Sequence, residues 1–571
     1  MAAAKNCDLQ LSPAKGLCQM KRNLRLPVSL LTAFLCWLFY SLTSELYLYT
    51  DNFDVALILN GFFGSPLSQY QHPFFCLFVN LLSKLMPFAD MFTLTVHILI
   101  FIELFLLVYL LPEPFWNKEK REINDWLILI VTILFCVFLS AGLNLWRANY
   151  TIQASSLLFT AWLIPVMKND RTHIAISTVL IAFGTMIRKE PALLFIPFLA
   201  LLLFLEGFTA KKEERKASFQ KYMPAILVSA LLLISQAALN LIEPFAEAKR
   251  YNTARTALVD FPVKPWSEDV SFSGIAREDY EAAQNWLFSD TEIMTADLLE
   301  KMAGAGSVNS MNSPMKELET ALSDMRRIVW KTDVYMTVMA VFCILAALWN
   351  TAFQKNAILK LLSLCTVFGA FLILLFFTYL GRAPLRVWQP VLFAVMTVQI
   401  FLFLKGESWI GHTAQSFSLL LLSALLYYSA GQVIAHVRWL GFKTCLTSRI
   451  NMDDSAYLDT FEDNTLYIWP SWHGGTLKYL SGLNKLPTQR VIEHNIALGD
   501  WTSGQPYYTD FLKRIGHSNP IKDLVEGNNT FIMSDSDYIL DYLRFHYGED
   551  IALTACGTVN DTTAYKVTRS W

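Results

Sequence analysis

Long apolar runs alternate with short polar segments along most of this chain. Eleven runs are long enough to cross about 30 Å of hydrocarbon as helices. The charged segment Arg188-Lys189-Glu190-Pro191 separates the two weakest runs. Proline disfavours a continuous helix and charges inside a membrane are costly, so we expect a short turn there. The eleven runs are 27–48, 91–111, 126–143, 150–167, 174–187, 191–207, 223–243, 334–352, 359–380, 387–404 and 415–435.

Two polar stretches are too long to be loops between these runs. Residues 244–333 carry helical patterns at 278–289 and 293–303 and predict a helical insertion. Residues 437–571 alternate between strand and helix patterns, which indicates a small α/β domain. Its predicted strands are 464–469, 529–533, 551–556 and 562–568, and its predicted helices are 475–483, 506–515, 520–526 and 536–547. The remaining divisions are a tail 1–25, a transmembrane module 26–243 with a first external loop 49–90, and a second transmembrane module 334–436.

Composition supports a membrane protein and argues against a nucleic-acid partner. Apolar residues make up 54% of the chain and charged residues 16%, whereas a soluble domain carries about 25% charged residues. The chain contains 41 Phe, 16 Trp and 22 Tyr, more apolar surface than a water-soluble fold of this length can bury. The net charge of -2 gives no electrostatic basis for binding DNA or RNA. The fold class is therefore predicted to be a polytopic α-helical membrane protein with about eleven spans.

The distribution of Lys and Arg predicts the orientation of these spans. With the N-terminus in the cytoplasm, the short cytoplasmic segments carry eighteen Lys and Arg and the short external loops carry six. Basic residues favour the cytoplasmic side, so the N-terminus is predicted to be cytoplasmic. An odd number of spans then places the C-terminal domain, and the insertion with it, outside. No small-residue cleavage site follows the first run, which reads as an uncleaved signal anchor.

Two carboxylates follow the first apolar run at the predicted outer surface. Asp51 and Asp54 are three residues apart, a spacing that places both on one face of a helix. Such a pair suits general-base catalysis or the binding of a divalent cation such as Mg or Mn, although no complete metal site can be read from the sequence. The alternative is a polar cap that ends the span and begins the next helix.

Basic residues in the short external loops oppose the charge rule that shapes the rest of the chain. Arg binds phosphate or pyrophosphate bidentately, so a phosphate held at the outer surface would explain them. The alternative is contact with lipid headgroups or pairing with Glu45, Asp51 or Glu190. The residues concerned are Arg147, Arg188, Lys189, Arg382 and Arg386.

Charges within the spans are few, and nucleotide-binding motifs are missing from the sequence. Glu103 and His97 lie in the second run without acidic residues in other spans to form an ion relay, so we expect Glu103 to be a hydrogen-bonded structural residue. The sequence contains no phosphate-binding loop, no dinucleotide fingerprint, no zinc-protease motif and no serine-hydrolase elbow. An enzyme of this design would take its activated group from a lipid carrier.

At these residues the chain resembles the GT-C superfamily of integral-membrane glycosyltransferases. Asp51 and Asp54 stand where that superfamily has acidic residues after the first span, and 55–90, with Gln71-His72-Pro73 and an amphipathic 74–87, is similar to its membrane-surface helices. Arg382 and Arg386, before Val-Trp-Gln-Pro, match the cations that hold a carrier phosphate late in the chain. The resemblance implies transfer of a sugar from a polyprenyl-phosphate carrier to a glycan, lipid or protein acceptor at the outer face of a bacterial plasma membrane.

The resemblance also implies a role for each candidate residue. Asp51 is the preferred general base, and Asp54 orients the acceptor hydroxyl or shares a divalent cation. A single base and direct displacement imply inversion at the anomeric carbon. Two other classes stay open: a transporter or flippase of lipid-linked saccharides, which needs a polar central cavity, and a polysaccharide polymerase or ligase. The predicted substrate-binding residues are Arg382, Arg386, Arg188, Lys189, Arg147 and His72.

Overall fold

The computed structural model of the chain describes most of the two predicted transmembrane modules, the insertion and much of the C-terminal region. Arg147, the predicted run 415–435, the predicted helix 475–483 and the end of the first run lie outside the described residues, and the side chain of Asp51 is not described. The described residues are 24–38, 50–87, 89–116, 118, 122–145, 149–209, 213, 215–268, 270–307, 314–332, 334–382, 384–406, 424, 465–470, 489–559 and 562–569.

The chain is mostly helical up to residue 406. The helices before the insertion are α1 Leu24–Leu38, α2 Thr50–Asn60, α3 Pro73–Leu85, α4 Met91–Leu110, α5 Glu113–Trp116, α6 Ile123–Leu145, α7 Tyr150–Met167, α8 Arg171–Ile187, α9 Lys189–Leu194, α10 Ile196–Thr209, α11 Arg215–Gln220 and α12 Met223–Leu239. The insertion and the second module follow as α13 Phe245–Val259, α14 Arg277–Gln284, α15 Ala296–Gly306, α16 Pro314–Arg327, α17 Val334–Phe353, α18 Ala357–Tyr379 and α19 Leu385–Lys405. A 3-10 turn at Val270–Phe272 and a π-helical turn at Ile328–Thr332 complete this part.

Within the described residues, seven helical segments are long and apolar enough to cross a membrane. They coincide with predicted runs, and three shorter apolar helices, α1, α3 and α8, accompany them. The prediction of an integral, multi-pass membrane protein is therefore confirmed. The number eleven stays a prediction. The seven segments are Met91–Leu110, Ile123–Ser140, Tyr150–Met167, Ser218–Leu239, Tyr335–Phe353, Ala357–Tyr379 and Leu385–Lys405.

Helices α7 and α19 form the centre of the helical bundle. Both are buried almost all round, whereas α12, α17 and α18 expose leucine and phenylalanine side chains as a lipid-facing surface would. Small residues allow α7 and α8 to approach closely, because a Cβ atom added to Gly184 would lie 2.5 Å from Leu158. In the second module the Gln399 side chain accepts hydrogen bonds from Asn350 at 2.8 Å and from Ser363 at 2.7 Å. These bonds tie α17 and α18 to α19.

The predicted turn at residues 188–191 is shorter in the structure than in the sequence interpretation. Helix α8 ends at Ile187 and α9 begins at Lys189. Arg188, the single residue between them, has an extended backbone with φ -155° and ψ 124°. Pro191 lies in the first turn of α9, where a proline removes no helical hydrogen bond. The break between the two helices therefore falls at Arg188, whose backbone is extended.

Helix α3 shows the amphipathic character that the sequence predicts for the first external loop. One face is buried and includes Phe75, Cys76 and Val79, while Phe74 and Leu81 on the other face are mostly exposed. An exposed apolar face on a short helix beside the spans suits a position at the membrane surface.

A small mixed sheet lies in the C-terminal region, which confirms the predicted sheet there. The strand order is β2-β1-β3-β5-β4, in which β1 is parallel to both β2 and β3, and β5 is antiparallel to both β3 and β4. Among the residues of this region that the structure describes, three of four helices and four of five strands coincide with predicted elements, whereas α20 and β2 were not predicted. The elements are β1 Leu466–Trp469, α20 Gln489–Glu493, β2 Asn495–Ala497, α21 Pro506–Arg514, α22 Pro520–Glu526, β3 Thr530–Ile532, α23 Asp537–Tyr547, β4 Ile551–Val559 and β5 Thr562–Arg569.

The insertion and the C-terminal domain pack against each other through a buried carboxylate. Asp290 of the insertion is fully buried and accepts hydrogen bonds from Asn519 at 3.0 Å, Tyr542 at 3.0 Å and Tyr547 at 2.7 Å. Next to it, the backbone amide of Ser289 donates to the carbonyl of Leu498 at 2.9 Å. A buried carboxylate with three donors is expensive to displace, so the two regions form one extramembrane unit.

Segments predicted to share a side of the membrane meet at the same end of the bundle. Arg25 at the start of α1 pairs with Glu113 at 3.2 Å, and Lys168 after α7 pairs with the same carboxylate. At the opposite end, the backbone amide of His72 in the first external loop donates to the Met186 carbonyl at the end of α8. The alternation of sides is therefore consistent along these spans, and the absolute orientation stays a prediction from the basic residues.

Candidate active site

Helix α2 carries both candidate carboxylates at the end of the bundle where the external loops meet. Asp51 and Asp54 lie within its first five residues, and the Asp54 side chain is fully buried. The helix is fixed against α7 because the backbone amide of Tyr150 donates to the side chain of Asn52 at 3.2 Å. Asp54 is therefore held in the interior of the candidate site rather than at a solvent-exposed helix end.

Tyr70 of the first external loop is the point at which basic side chains from several elements converge. The guanidinium of Arg188 lies 4.6 Å from the centre of the Tyr70 ring, a distance typical of a cation–π contact. Arg188 also donates to the Tyr150 hydroxyl at 2.8 Å and pairs with Glu190 at 2.8 Å. Part of the alternative interpretation, pairing with Glu190, is thus present at Arg188.

Arg382 lies in the loop between α18 and α19. Its Nη2 lies 2.7 Å from a carboxylate oxygen of Asp260, which follows α13 of the insertion. Partial burial lowers the pKa of Arg382, Asp260 raises it, and the positive charges of Arg386 and Arg255 lower it again. A guanidinium that desolvation and like charges both destabilise would gain from an anionic ligand.

Arg255 on α13 is a further member of the site that the sequence interpretation did not identify. Its side chain is 3% exposed, and its Nε and Nη2 atoms donate to the side-chain oxygen of Asn252, which also accepts from the Tyr70 hydroxyl at 2.9 Å. Among the described residues no carboxylate pairs with Arg255, and its Nη1 has no hydrogen-bond partner. A buried, unpaired guanidinium is costly unless an anion joins it.

Lys189 adds an amine to the same end of the bundle. Partial burial lowers its pKa, Glu190 raises it, and the nearby charges of Arg188 and Lys249 lower it. The residues of the external loops and of α13 therefore assemble six basic side chains, with Glu190 and Asp260 as their paired carboxylates. We call these six residues the basic cluster: Arg188, Lys189, Lys249, Arg255, Arg382 and Arg386.

The C-terminal domain closes over the first external loop next to Asp54. Phe63 of the loop stacks on Tyr507 at 6.1 Å and meets Phe511 edge-on at 4.9 Å. Burial raises the pKa of Tyr507 and of its neighbour Tyr508 well above the usual value, and the negative charges of Asp500 and Asp54 raise both further. Asp54 and Asp500, from opposite ends of the chain, thus face the same pair of tyrosines.

His72 has a structural position in this loop. Its Nδ1 accepts a hydrogen bond from the backbone amide of Phe74 and so caps α3, and its Nε2 lies 2.8 Å from the Ser235 hydroxyl on α12. Both ring nitrogens are therefore engaged by protein atoms, and a substrate contact by His72 stays a prediction. Arg147, the other candidate from this group, lies outside the described residues.

Glu103 belongs to the helix packing and not to this site. Its carboxyl group accepts a hydrogen bond of 2.6 Å from Ser156 on α7, deep between α4 and α7. The expectation of a hydrogen-bonded structural residue is confirmed. Glu103 lies more than three helical turns from Met91, where α4 leaves the first external loop, and does not extend the carboxylate pair of α2.

The described residues do not form a cluster of three or more His, Cys, Asp or Glu side chains able to hold a metal ion. A divalent cation shared by Asp51 and Asp54 stays a prediction, and no step below depends on it.

Comparison with known proteins gives a structural likeness without a sequence family. No family model matches the chain, and no curated protein is similar to it. The structural neighbours include two structures of ArnT from Cupriavidus metallidurans. The apo structure is 9% identical with a TM-score of 0.38 and covers 97% of this chain and 98% of its own. The structure bound to undecaprenyl phosphate is 10% identical with a TM-score of 0.39 and covers 94% and 97%.

Proposed function

We propose that this protein is a membrane glycosyltransferase that moves a sugar from a polyprenyl-phosphate carrier to an acceptor hydroxyl at the outer face of the membrane. The observation that carries the proposal is that Arg188 contacts the Tyr70 ring and Arg255 shares the Asn252 side chain with the Tyr70 hydroxyl, beside the helix that carries Asp51 and Asp54. Cations and carboxylates are the two groups that such a transfer needs. The sequence resemblance to the GT-C superfamily supports the same reading.

The basic cluster supports the binding of a phosphate at the membrane boundary. Arg255 and Arg382 lie on different elements, and the positive charge of Arg255 lowers the pKa of Arg382. Their like charges repel each other. A bound phosphate monoester would offset this repulsion by accepting charge-assisted hydrogen bonds from both. A polyprenyl carrier presents its phosphate at the depth of these loops, because its hydrocarbon chain stays among the spans.

Carboxylates of α2 would activate the acceptor. A sugar hydroxyl is a poor nucleophile at neutral pH, so a base within hydrogen-bond reach must take its proton while the hydroxyl oxygen attacks the anomeric carbon. Asp51 is the preferred base, and Asp54 orients the acceptor. The bond from the anomeric carbon to the phosphate oxygen breaks, and the basic cluster stabilises the negative charge that grows on the carrier phosphate. One direct displacement inverts the anomeric carbon.

The test is transfer by single Asn variants at the two carboxylates. Replacing a general base costs about 100- to 10,000-fold in rate, so Asp51→Asn should nearly abolish transfer and Asp54→Asn should slow it. Both variants should bind polyprenyl phosphate as the unmodified protein does, because the basic cluster is intact. Normal turnover in both variants would support the polar-cap interpretation and redirect attention to a transporter or a polymerase.

A further inference from the structure

A second group of polar side chains lies beside the basic cluster, where the C-terminal domain covers the first external loop. Trp501, Gln505 and Tyr507 are 6%, 0% and 2% exposed. The indole Nε1, both atoms of the Gln505 side-chain amide and the Tyr507 hydroxyl have no hydrogen-bond partner among the described residues. Burying such a group without a partner costs about 1–3 kcal/mol. Three within seven residues mark this segment as more than packing.

The facing loop contributes a matching side chain. Gln71 is fully buried, and neither atom of its side-chain amide has a hydrogen-bond partner in the part of the chain that the structure describes. The preceding residue, Tyr70, meets the Trp501 ring edge-on at 5.0 Å. Tyr507 in turn lies within electrostatic reach of Tyr70 and Asp54. The loop and the domain therefore meet beside these unpartnered groups, through Tyr70 against Trp501 and Phe63 against Tyr507.

The helix cap at Gln505 shows that its side chain is not used for local structure. Gln505 stands at the N-cap position of α21, where a polar side chain normally accepts from the first turn, but it makes no such bond. Its backbone carbonyl accepts from Tyr508 and Thr509 instead. The side-chain amide thus keeps both its donor and its acceptor for another partner.

From these contacts we infer that the interface between the first external loop and residues 500–508 is a binding site for a saccharide, which is the acceptor of the transfer. The role of the saccharide as the acceptor rests on the proposed function. The identification of the ligand as a saccharide rests on the unpartnered groups alone. Amide, phenol and indole groups offer both donors and acceptors, as the hydroxyls of a neutral sugar require.

Other ligand classes fit this interface less well. A phosphate would be repelled by the negative charges of Asp54 and Asp500, which raise the pKa of Tyr507 and of Tyr508. A metal ion cannot use the N–H groups of Trp501 or Gln505 as ligands. An apolar ligand would leave every one of these polar atoms unsatisfied. The basic cluster, which reaches Tyr70 through Arg188, has the opposite chemistry and suits the donor phosphate, so the two substrates would bind to neighbouring surfaces.

The experiment measures binding of a panel of methyl glycosides of neutral hexoses, pentoses and N-acetylhexosamines to the full chain in lipid nanodiscs by saturation-transfer NMR. At least one glycoside should bind. Tyr507→Phe and Gln505→Met remove the unpartnered polar atoms at nearly constant volume, and each should weaken that binding about three- to tenfold. Neither should lower the melting temperature, because the removed atoms have no partner in the protein.

Tyr542→Phe is the matched control, since its hydroxyl donates to Asp290 at 3.0 Å within the extramembrane unit. It should lower the melting temperature and leave glycoside affinity unchanged. The inference is overturned if no glycoside binds, if Tyr507→Phe and Gln505→Met both bind as tightly as the unmodified protein, or if polyprenyl phosphate displaces the glycoside. Glycoside binding without any binding of polyprenyl phosphate would instead contradict the proposed function and leave the saccharide site standing.

Discussion

Arg382 gives the sharpest test of the phosphate site, because the structure supplies a control for its other contact. The Arg382 guanidinium pairs with Asp260 at 2.7 Å, and the two side chains are 33% and 26% exposed. An ion pair with this exposure contributes about 0–1 kcal/mol to the free energy of unfolding. Arg382→Ala should therefore fold normally and lower the melting temperature only slightly.

The loss of carrier affinity should be much larger than this loss of stability. Charge-assisted hydrogen bonds to a phosphate are worth about 1.5–3 kcal/mol, so Arg382→Ala should weaken the binding of polyprenyl phosphate about 10- to 100-fold. Asp260→Asn breaks the same ion pair but keeps the cation and removes a neighbouring negative charge. Its affinity for the carrier should stay unchanged or rise, because the local potential becomes more positive.

The assay is titration of a fluorescent polyprenyl phosphate into the protein in nanodiscs, at low and at high salt. Screening should weaken binding to the unmodified protein more than binding to Arg382→Ala, which has lost one contributing charge. Equal losses of affinity in Arg382→Ala and Asp260→Asn would refute the reasoning, because Arg382 would then act only through its pairing with Asp260.

Three further predictions concern other parts of the account. Arg255→Met removes a buried guanidinium that has no carboxylate partner among the described residues, so the melting temperature should stay the same or rise. Carrier affinity should fall about tenfold or more, and a lower melting temperature with normal affinity would contradict this. Burial lowers the pKa of Lys189, so carrier affinity should decline as the pH rises through that lowered pKa. Lys189→Arg stays charged and should abolish the decline; an unchanged pH profile would exclude Lys189 from binding. Cys556 is exposed, so in a Cys445→Ser background, which removes the other cysteine of 437–571, a membrane-impermeant maleimide should label Cys556 on intact cells. Adding Cys556→Ser should abolish this labelling, and labelling only after permeabilisation would reverse the orientation.

The spans and most of the C-terminal elements were predictable because their signals are local. Apolar runs of about 20 residues and strands with alternating or continuous apolar positions carry their own periodicity. Strand β2, with three residues, is too short to show a period, and it exists because its backbone pairs with β1. Helix α13 was also missed, since its sequence mixes small, charged and apolar residues and its stability comes from packing against α15.

The site was predictable only in the part that departs from a charge rule. Arg188 and Arg382 stood out because basic residues are unexpected in short external loops. Arg255 lies in a long polar region, where a basic residue is ordinary. Its importance comes from the Asn252 side chain, which accepts hydrogen bonds from both Arg255 and Tyr70 although Tyr70 lies 182 residues before Asn252. The same holds for Gln505 and Tyr507, whose lack of partners is a property of the folded interface.

The proposed activity of this protein is the transfer of a sugar from a polyprenyl-phosphate carrier. The most direct measurement is release of polyprenyl phosphate from a panel of synthetic polyprenyl-phosphate sugars by the purified protein in nanodiscs, with the anomeric configuration of the product read by NMR. The account predicts release with one class of sugar, an inverted anomeric carbon, and loss of release in Asp51→Asn. Movement of intact lipid-linked sugar across vesicle membranes, without any release of polyprenyl phosphate, would contradict it and identify a transporter.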